Sequence, residues 1–157
     1  MIFADQTCAF EAIDNCLLFI HTKTMASDAS SYAVLEFYRA HKDRLSDFKP
    51  LVVSDGGGPS ALQRKAVQNE FGSSLKEARA VIISDSQIIR FMAAAAVLWV
   101  KNVRVLDPQH FGEALDFLGL PNTTRSKVSQ TMMALRPSIP PAFKTFHAIT
   151  GSGQIAS

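Results

Sequence analysis

Residues 51–71, LVVSDGGGPSALQRKAVQNEF, restrict the fold more than any other stretch. A short apolar run ends in a polar pair, Ser54 and Asp55. Three glycines and Pro59 follow, then a segment with helical periodicity. Strand, tight loop and helix in that order open an α/β unit.

The same logic recurs. Residues 80–83, AVII, form a strand that ends in Ser84, Asp85 and Ser86, and QIIRFMAAAAVLW then reads as a helix. Asp85 or Ser86 would cap it. Residues 102–106, NVRVL, form another strand. Asp107 and Pro108 open a helix that carries Phe111, Ala114, Leu115 and Leu118 and stops at Gly119. Upstream, residues 1–4, 8–13 and 16–22 are strand candidates, with Asn15 between the last two as a hairpin turn. Ser27 or Asp28 caps a helix running to about Leu45. Within the unit at 51–71, Pro59 and Ser60 fall at the first helical turn. Leu62, Ala66, Val67 and Phe71 share its apolar side, and Gly72, Ser73 and Ser74 end it.

These units predict an α/β domain over residues 1–119. Its sheet is mixed and mostly parallel, of four to five strands, with the first strands antiparallel. Residues 120–157 form a C-terminal extension of different character. Pro121, Pro137, Pro140 and Pro141 divide it, and residues 123–135 read as a helix with Val128, Met132 and Leu135 on one face. Phe143, Phe146 and Ile149 need cover, from the domain or from a partner. The final GSGQIAS reads as a flexible end.

Composition excludes several classes. Apolar residues make up 47% of the 157, enough for a core. The net charge of +2 indicates neither nucleic acid nor an anionic membrane. All the acids lie before residue 119, so the extension, with Arg125, Lys127, Arg136 and Lys144, is a basic attachment. Two cysteines, Cys8 and Cys16, make no disulfide framework. AAAAVLWV at 93–100 extends backwards into Arg90, Ser86 and Asp85, so no apolar run spans a bilayer. No signal peptide is evident, and a cytoplasmic location is expected.

The βα units resemble the STAS and SpoIIAA-like family, typified by anti-sigma-factor antagonists. The likeness is carried by the strand with a polar turn at 51–60, the SDS-ended strand with its Ala-rich helix at 81–99, and VRVLDP…FGEALDFLG at 103–119. It covers residues 1–119 and is a likeness of fold-forming motifs. It implies a bacterial regulatory protein with a phosphorylatable serine near the helix after the third strand. Ser60 is nearest that position and Asp55 its companion, although GGGP replaces the family's Asp-Ser pair.

The residues themselves leave few chemical options. Asp55, Gly56, Gly57 and Gly58 form either a plain turn or an anion nest. The spacing fits neither a Walker loop nor G-x-G-x-x-G, so no nucleotide cofactor is expected. Both polar turns should meet at one sheet edge, which makes Ser84, Asp85 and Ser86 companion ligand or partner contacts. The four histidines are dispersed and no metal site is expected. No nucleophile elbow is present and no catalytic residue is assigned. The expected function is non-enzymatic, regulatory or scaffolding, through protein contacts, with a homodimer formed through the apolar helix or the extension. Phe91, Met92 and Trp99 would add apolar surface. The alternative is a small-ligand or lipid-binding module.

Overall fold

The structure is a computed structural model that describes residues 2–86, 102–153 and 155. The strands are β1 (Phe3–Ala4), β2 (Cys8–Ile13), β3 (Cys16–His21), β4 (Lys49–Ser54), β5 (Arg79–Ile83) and β6 (Asn102–Leu106). The helices are α1 (Asp28–Ala40), α2 (Ala61–Leu75), α3 (Phe111–Leu118), α4 (Asn122–Leu135) and α5 (Lys144–Gly151). The expected helix at 87–99, with Phe91, Met92 and Trp99, lies outside the described residues.

The sheet has six strands rather than four or five, in the order β1-β2-β3-β4-β5-β6. The additional strand is a matter of length: β1 pairs only Phe3 with Phe10 and Ala4 with Ala9. β1, β2 and β3 are antiparallel neighbours, and β3 through β6 are parallel. The β2–β3 hairpin turns on Asp14 and Asn15, between the paired Ile13 and Cys16. Asp14 takes a φ of 52°, as a two-residue turn matched to sheet twist requires at its first position.

Alternation divides the strand residues between two faces. Phe10, Leu17, Phe19 and Val52 face the front, where α1, α2 and a 3-10 segment (Lys42–Asp47) supply Tyr38, Leu45 and Phe71. Cys16, Leu18, Ile20, Leu51, Val53, Val81 and Ile83 face the back, against Phe111, Leu118, Val128, Met132, Phe143, Phe146 and Ile149. Every residue of β3 is therefore buried.

The sequential strand order explains the role of the extension. Right-handed crossovers between successive parallel neighbours place their helices on one face. α1 and α2 lie on the front, and the back is covered by the chain after β6. Leu120, Ile139, Phe143, Phe146 and Ile149 of the extension belong to that core. So does Ile155, where a flexible end was expected. Two of the extension's cations also pair with the domain: Arg125 with Asp116 at 2.6 Å and Lys127 with Asp14 at 2.8 Å.

Several boundaries differ from expectation. α1 ends at Ala40, where His41 takes a non-helical conformation, and the chain to Asp47 winds as a 3-10 helix. α2 continues through Gly72, Ser73 and Ser74 to Leu75. Leu62, placed on the apolar side by periodicity, is 80% exposed. It lies in the first turn of α2, and Ala66, one turn on along the same stripe, is exposed as well.

Candidate functional site

The C-terminal ends of β4 and β5 use their serines alike. Ser54 Oγ accepts the Gly56 N–H at 3.0 Å, and Ser84 Oγ accepts the Ser86 N–H at 3.1 Å. These are local turns in which a hydroxyl replaces a backbone acceptor, so the repeated Ser-Asp pair has an architectural cause. The two turns meet: a Cβ built on Gly56 would lie 3.4 Å from Ser86 Oγ. Ser54 and Ser84 are buried, Ser86 is half-buried and Asp85 is exposed.

The glycine turn is closed against residues 22–26. The Gly57 N–H donates to the Thr22 carbonyl at 2.8 Å, and the Ala26 N–H donates to the Gly58 carbonyl at 2.9 Å. Ser54 Oγ donates to the Gly57 carbonyl at 2.7 Å. Gly57 is needed for the approach itself, because a Cβ there would sit 2.0 Å from the Thr24 carbonyl oxygen. The N–H groups of Gly56 and Gly57, which an anion nest would direct at its ligand, are thus both engaged within the protein.

Asp55 points to the opposite face and is buried there. One carboxylate oxygen accepts the Lys144 N–H at 2.7 Å and the other accepts the Thr145 N–H at 2.6 Å. Asp55 therefore caps α5 from 89 residues away along the chain, and a carboxylate at a helix N-terminus is electrostatically favoured. α5 has no side-chain cap of its own.

Ser60 precedes α2 as its N-cap, not as a first-turn residue. Its Oγ accepts the Gln63 N–H at 3.1 Å, and Gln63 Oε1 accepts the Ser60 N–H at 2.8 Å, completing a capping box. Gln63 Nε2 also donates to the Ala26 carbonyl at 3.2 Å and to Asp28 Oδ1 at 3.1 Å. One side chain therefore ties the start of α2 to the start of α1. Arg64 donates to the Pro59 carbonyl at 2.7 Å, beside Ser60.

Two features at this edge were missed in the sequence. Asp5 Oδ1 accepts the N–H groups of Thr7 and Cys8 and the Thr7 hydroxyl, while Oδ2 accepts the hydroxyl of Ser27, the α1 cap. Burial alone would raise the Asp5 pKa, but hydrogen bonds from Ser27, Thr7 and Cys8 outweigh it and hold the carboxyl below its ordinary value. The D-x-T spacing of Asp5 and Thr7 was the available signal, as an Asx turn. The second feature is His21, buried at the end of β3, whose Nδ1 has no hydrogen-bond partner among the described residues. Burial pushes its pKa down to about 4, opposed by the charge of Asp5.

His21 lies next to Ser54 in the β3–β4 register. The Ser54 hydroxyl, however, donates to Gly57, so the two do not form a base–nucleophile pair. Asp55 is held on the other face by α5. Burial pushes the thiols of Cys8 and Cys16 up to about 12, far from the thiolate a nucleophile or ligand needs. Among the described residues no group of three or more His, Cys, Asp or Glu is placed to hold a metal ion. Among them also, no helix is long and apolar enough to cross a membrane.

The outer surface of this edge is apolar in places. Met25 is 62% exposed, Tyr32 62% and Leu62 80%. They lie on the segments that Gln63 joins, with Lys23 and Lys65 exposed beside them. No protein-family model, curated protein or solved structure matches this chain.

Proposed function

We propose that this chain is a non-enzymatic regulatory or scaffold protein that works through protein–protein contacts. The contact surface is the edge formed by residues 22–32, the turn at 54–58 and the first turn of α2. The observation that carries this reading is the exposure of Met25, Tyr32 and Leu62 on segments that hydrogen bonds from Gln63 tie together. Large apolar groups fixed in water favour a partner that removes them from it. The resemblance of residues 1–119 to STAS domains points the same way.

Ser60 is the modification point that fits this reading. A phosphate on its hydroxyl would stand at the N-terminus of α2 beside Arg64, where negative charge is favoured. It would also take the hydroxyl from Gln63 and loosen the bridge between the two helices. Asp55, by contrast, contributes by shaping the turn rather than by meeting the partner.

The test is crosslinking with mass spectrometry on the wild type and on Met25→Asp and Leu62→Asp variants. The expected result is loss of the same crosslinked partner in both variants with thermal melting unchanged. An unchanged partner set overturns the assignment of this surface. Light scattering across a concentration series separates a second copy of the chain from a different protein as the occupant. The lipid or small-ligand reading is less well supported: the groove of about 380 Å³ between β2 and α4 is lined chiefly by Glu11, Asp14, Lys127, Gln130 and Thr131.

A further inference from the structure

The turn at residues 54–58 grips both sides of the sheet. Ser54 and Asp55 are consecutive in an extended chain, so their side chains leave opposite faces. On the back, Asp55 holds the first two N–H groups of α5, and the Thr145 hydroxyl reaches the Ser54 carbonyl at 3.4 Å. On the front, Gly57 and Gly58 exchange hydrogen bonds with Thr22 and Ala26, and the Ser54 hydroxyl braces the Gly57 carbonyl. The front contact tolerates little displacement, given the 2.0 Å that a Cβ on Gly57 would leave to the Thr24 oxygen.

We infer that this turn couples the docking of α5 on the back of the sheet to the order of residues 22–26 on the front, so that the C-terminal segment regulates the surface bearing Met25 and Leu62. The regulatory meaning rests on the function proposed above; the coupling itself rests on these hydrogen bonds alone.

The two states differ in one carboxylate. With α5 docked, both oxygens of buried Asp55 have backbone donors. With α5 released, they have neither, and nothing on the back face then fixes the carboxylate. Asp55 is joined directly to Gly56, whose φ of 122° is open to glycine and strained for other residues. Freed of both donors, Asp55 and the glycine turn joined to it can rotate, and the Gly57 N–H then leaves the Thr22 carbonyl. Residues 22–26 then lose both backbone bonds to the turn, along with the support they give the start of α1. Linkage makes the effect reciprocal: loosening the front contact must weaken α5 docking by the same factor.

Amide hydrogen exchange of the full chain, read residue by residue by NMR, tests this without any partner. Lys144 and Thr145 report the back, Gly57 and Ala26 the front, and Leu18 and Val52 the sheet. In Asp55→Asn the expected result is faster exchange at Lys144 and Thr145 and, by about fivefold or more, at Gly57 and Ala26, with Leu18 and Val52 unchanged. Gly57→Ala should accelerate Lys144 and Thr145 in return. Asp55→Glu keeps the charge on a longer arm and should give the same pattern at smaller amplitude, so it serves if Asp55→Asn fails to fold. Acceleration confined to the side mutated overturns the coupling. So does equal acceleration everywhere, since the two sides would then share only global unfolding. Loss of partner crosslinks in Leu62→Asp is read separately, so failure of the proposed function and failure of the coupling are distinguishable.

Discussion

His21 stands directly opposite Cys8 in the β2–β3 register, both side chains are buried, and the imidazole Nδ1 has no hydrogen-bond partner among the described residues. The folded protein therefore holds His21 neutral, with a pKa of about 4 against an ordinary 6.5. Between those values the unfolded chain takes up a proton that the folded chain refuses. Stability is thus full above pH 6.5 and falls as the pH drops towards 4, by on the order of 3 kcal/mol. Asp5, held below its ordinary value, adds a further loss at still lower pH. Urea midpoints at pH 7.5 and 4.5 should show the decline in the wild type and a shallower one in His21→Asn. An equal decline in both proteins would remove His21 as its source.

The two thiols should be silent in the folded protein. Cys8 is 1% exposed and Cys16 fully buried, and burial pushes both pKa values up to about 12. At pH 8 a disulfide reagent should release almost no thiol from the native chain and two equivalents in denaturant. Rapid native labelling of either cysteine would contradict this packing.

The extension should be indispensable to the fold. Ending the chain after Leu120 would bare Leu18, Ile20, Leu51 and Val53 on the back face, and aggregation or failure to fold is the expected outcome. Phe146→Ala in the full chain should cost about 3–5 kcal/mol, a typical value for a buried phenylalanine. A soluble, cooperatively melting 1–120 fragment would show instead that α4 and α5 are dispensable.

Adjacent residues of α2 should respond to truncation very differently. Gln63→Ala removes half of the capping box and the bonds to Ala26 and Asp28, and should cost about 1–2 kcal/mol. Leu62→Ala removes an exposed side chain and should stay within about 0.5 kcal/mol of wild type. Chemical denaturation of the two variants checks the contrast.

The strands and βα units were legible because alternation, glycine and proline are local signals. Residues 80–83 and 102–106 fall within β5 and β6 with little change. The capping of α2 was also available in the S-x-x-Q spacing of Ser60 and Gln63, which the neighbouring Pro59 obscured. The partner of Asp55 was not legible. It lies 89 residues downstream, at a helix with no capping residue of its own. Nor was the covering of the back face, which depends on crossover handedness acting through the whole strand order. Leu62 misled because periodicity says which residues share a side of a helix and not how far along the helix that side is covered.

The one-directional strand order also bears on synthesis. Each strand pairs with the one made just before it, so a chain emerging from its N-terminal end can extend the sheet strand by strand. Among the described residues, however, the cover of the back face comes from residues 111–155, which emerge last. Until then the growing chain lacks that cover over its apolar sheet, the kind of surface that nascent-chain chaperones hold and that drives aggregation when they do not.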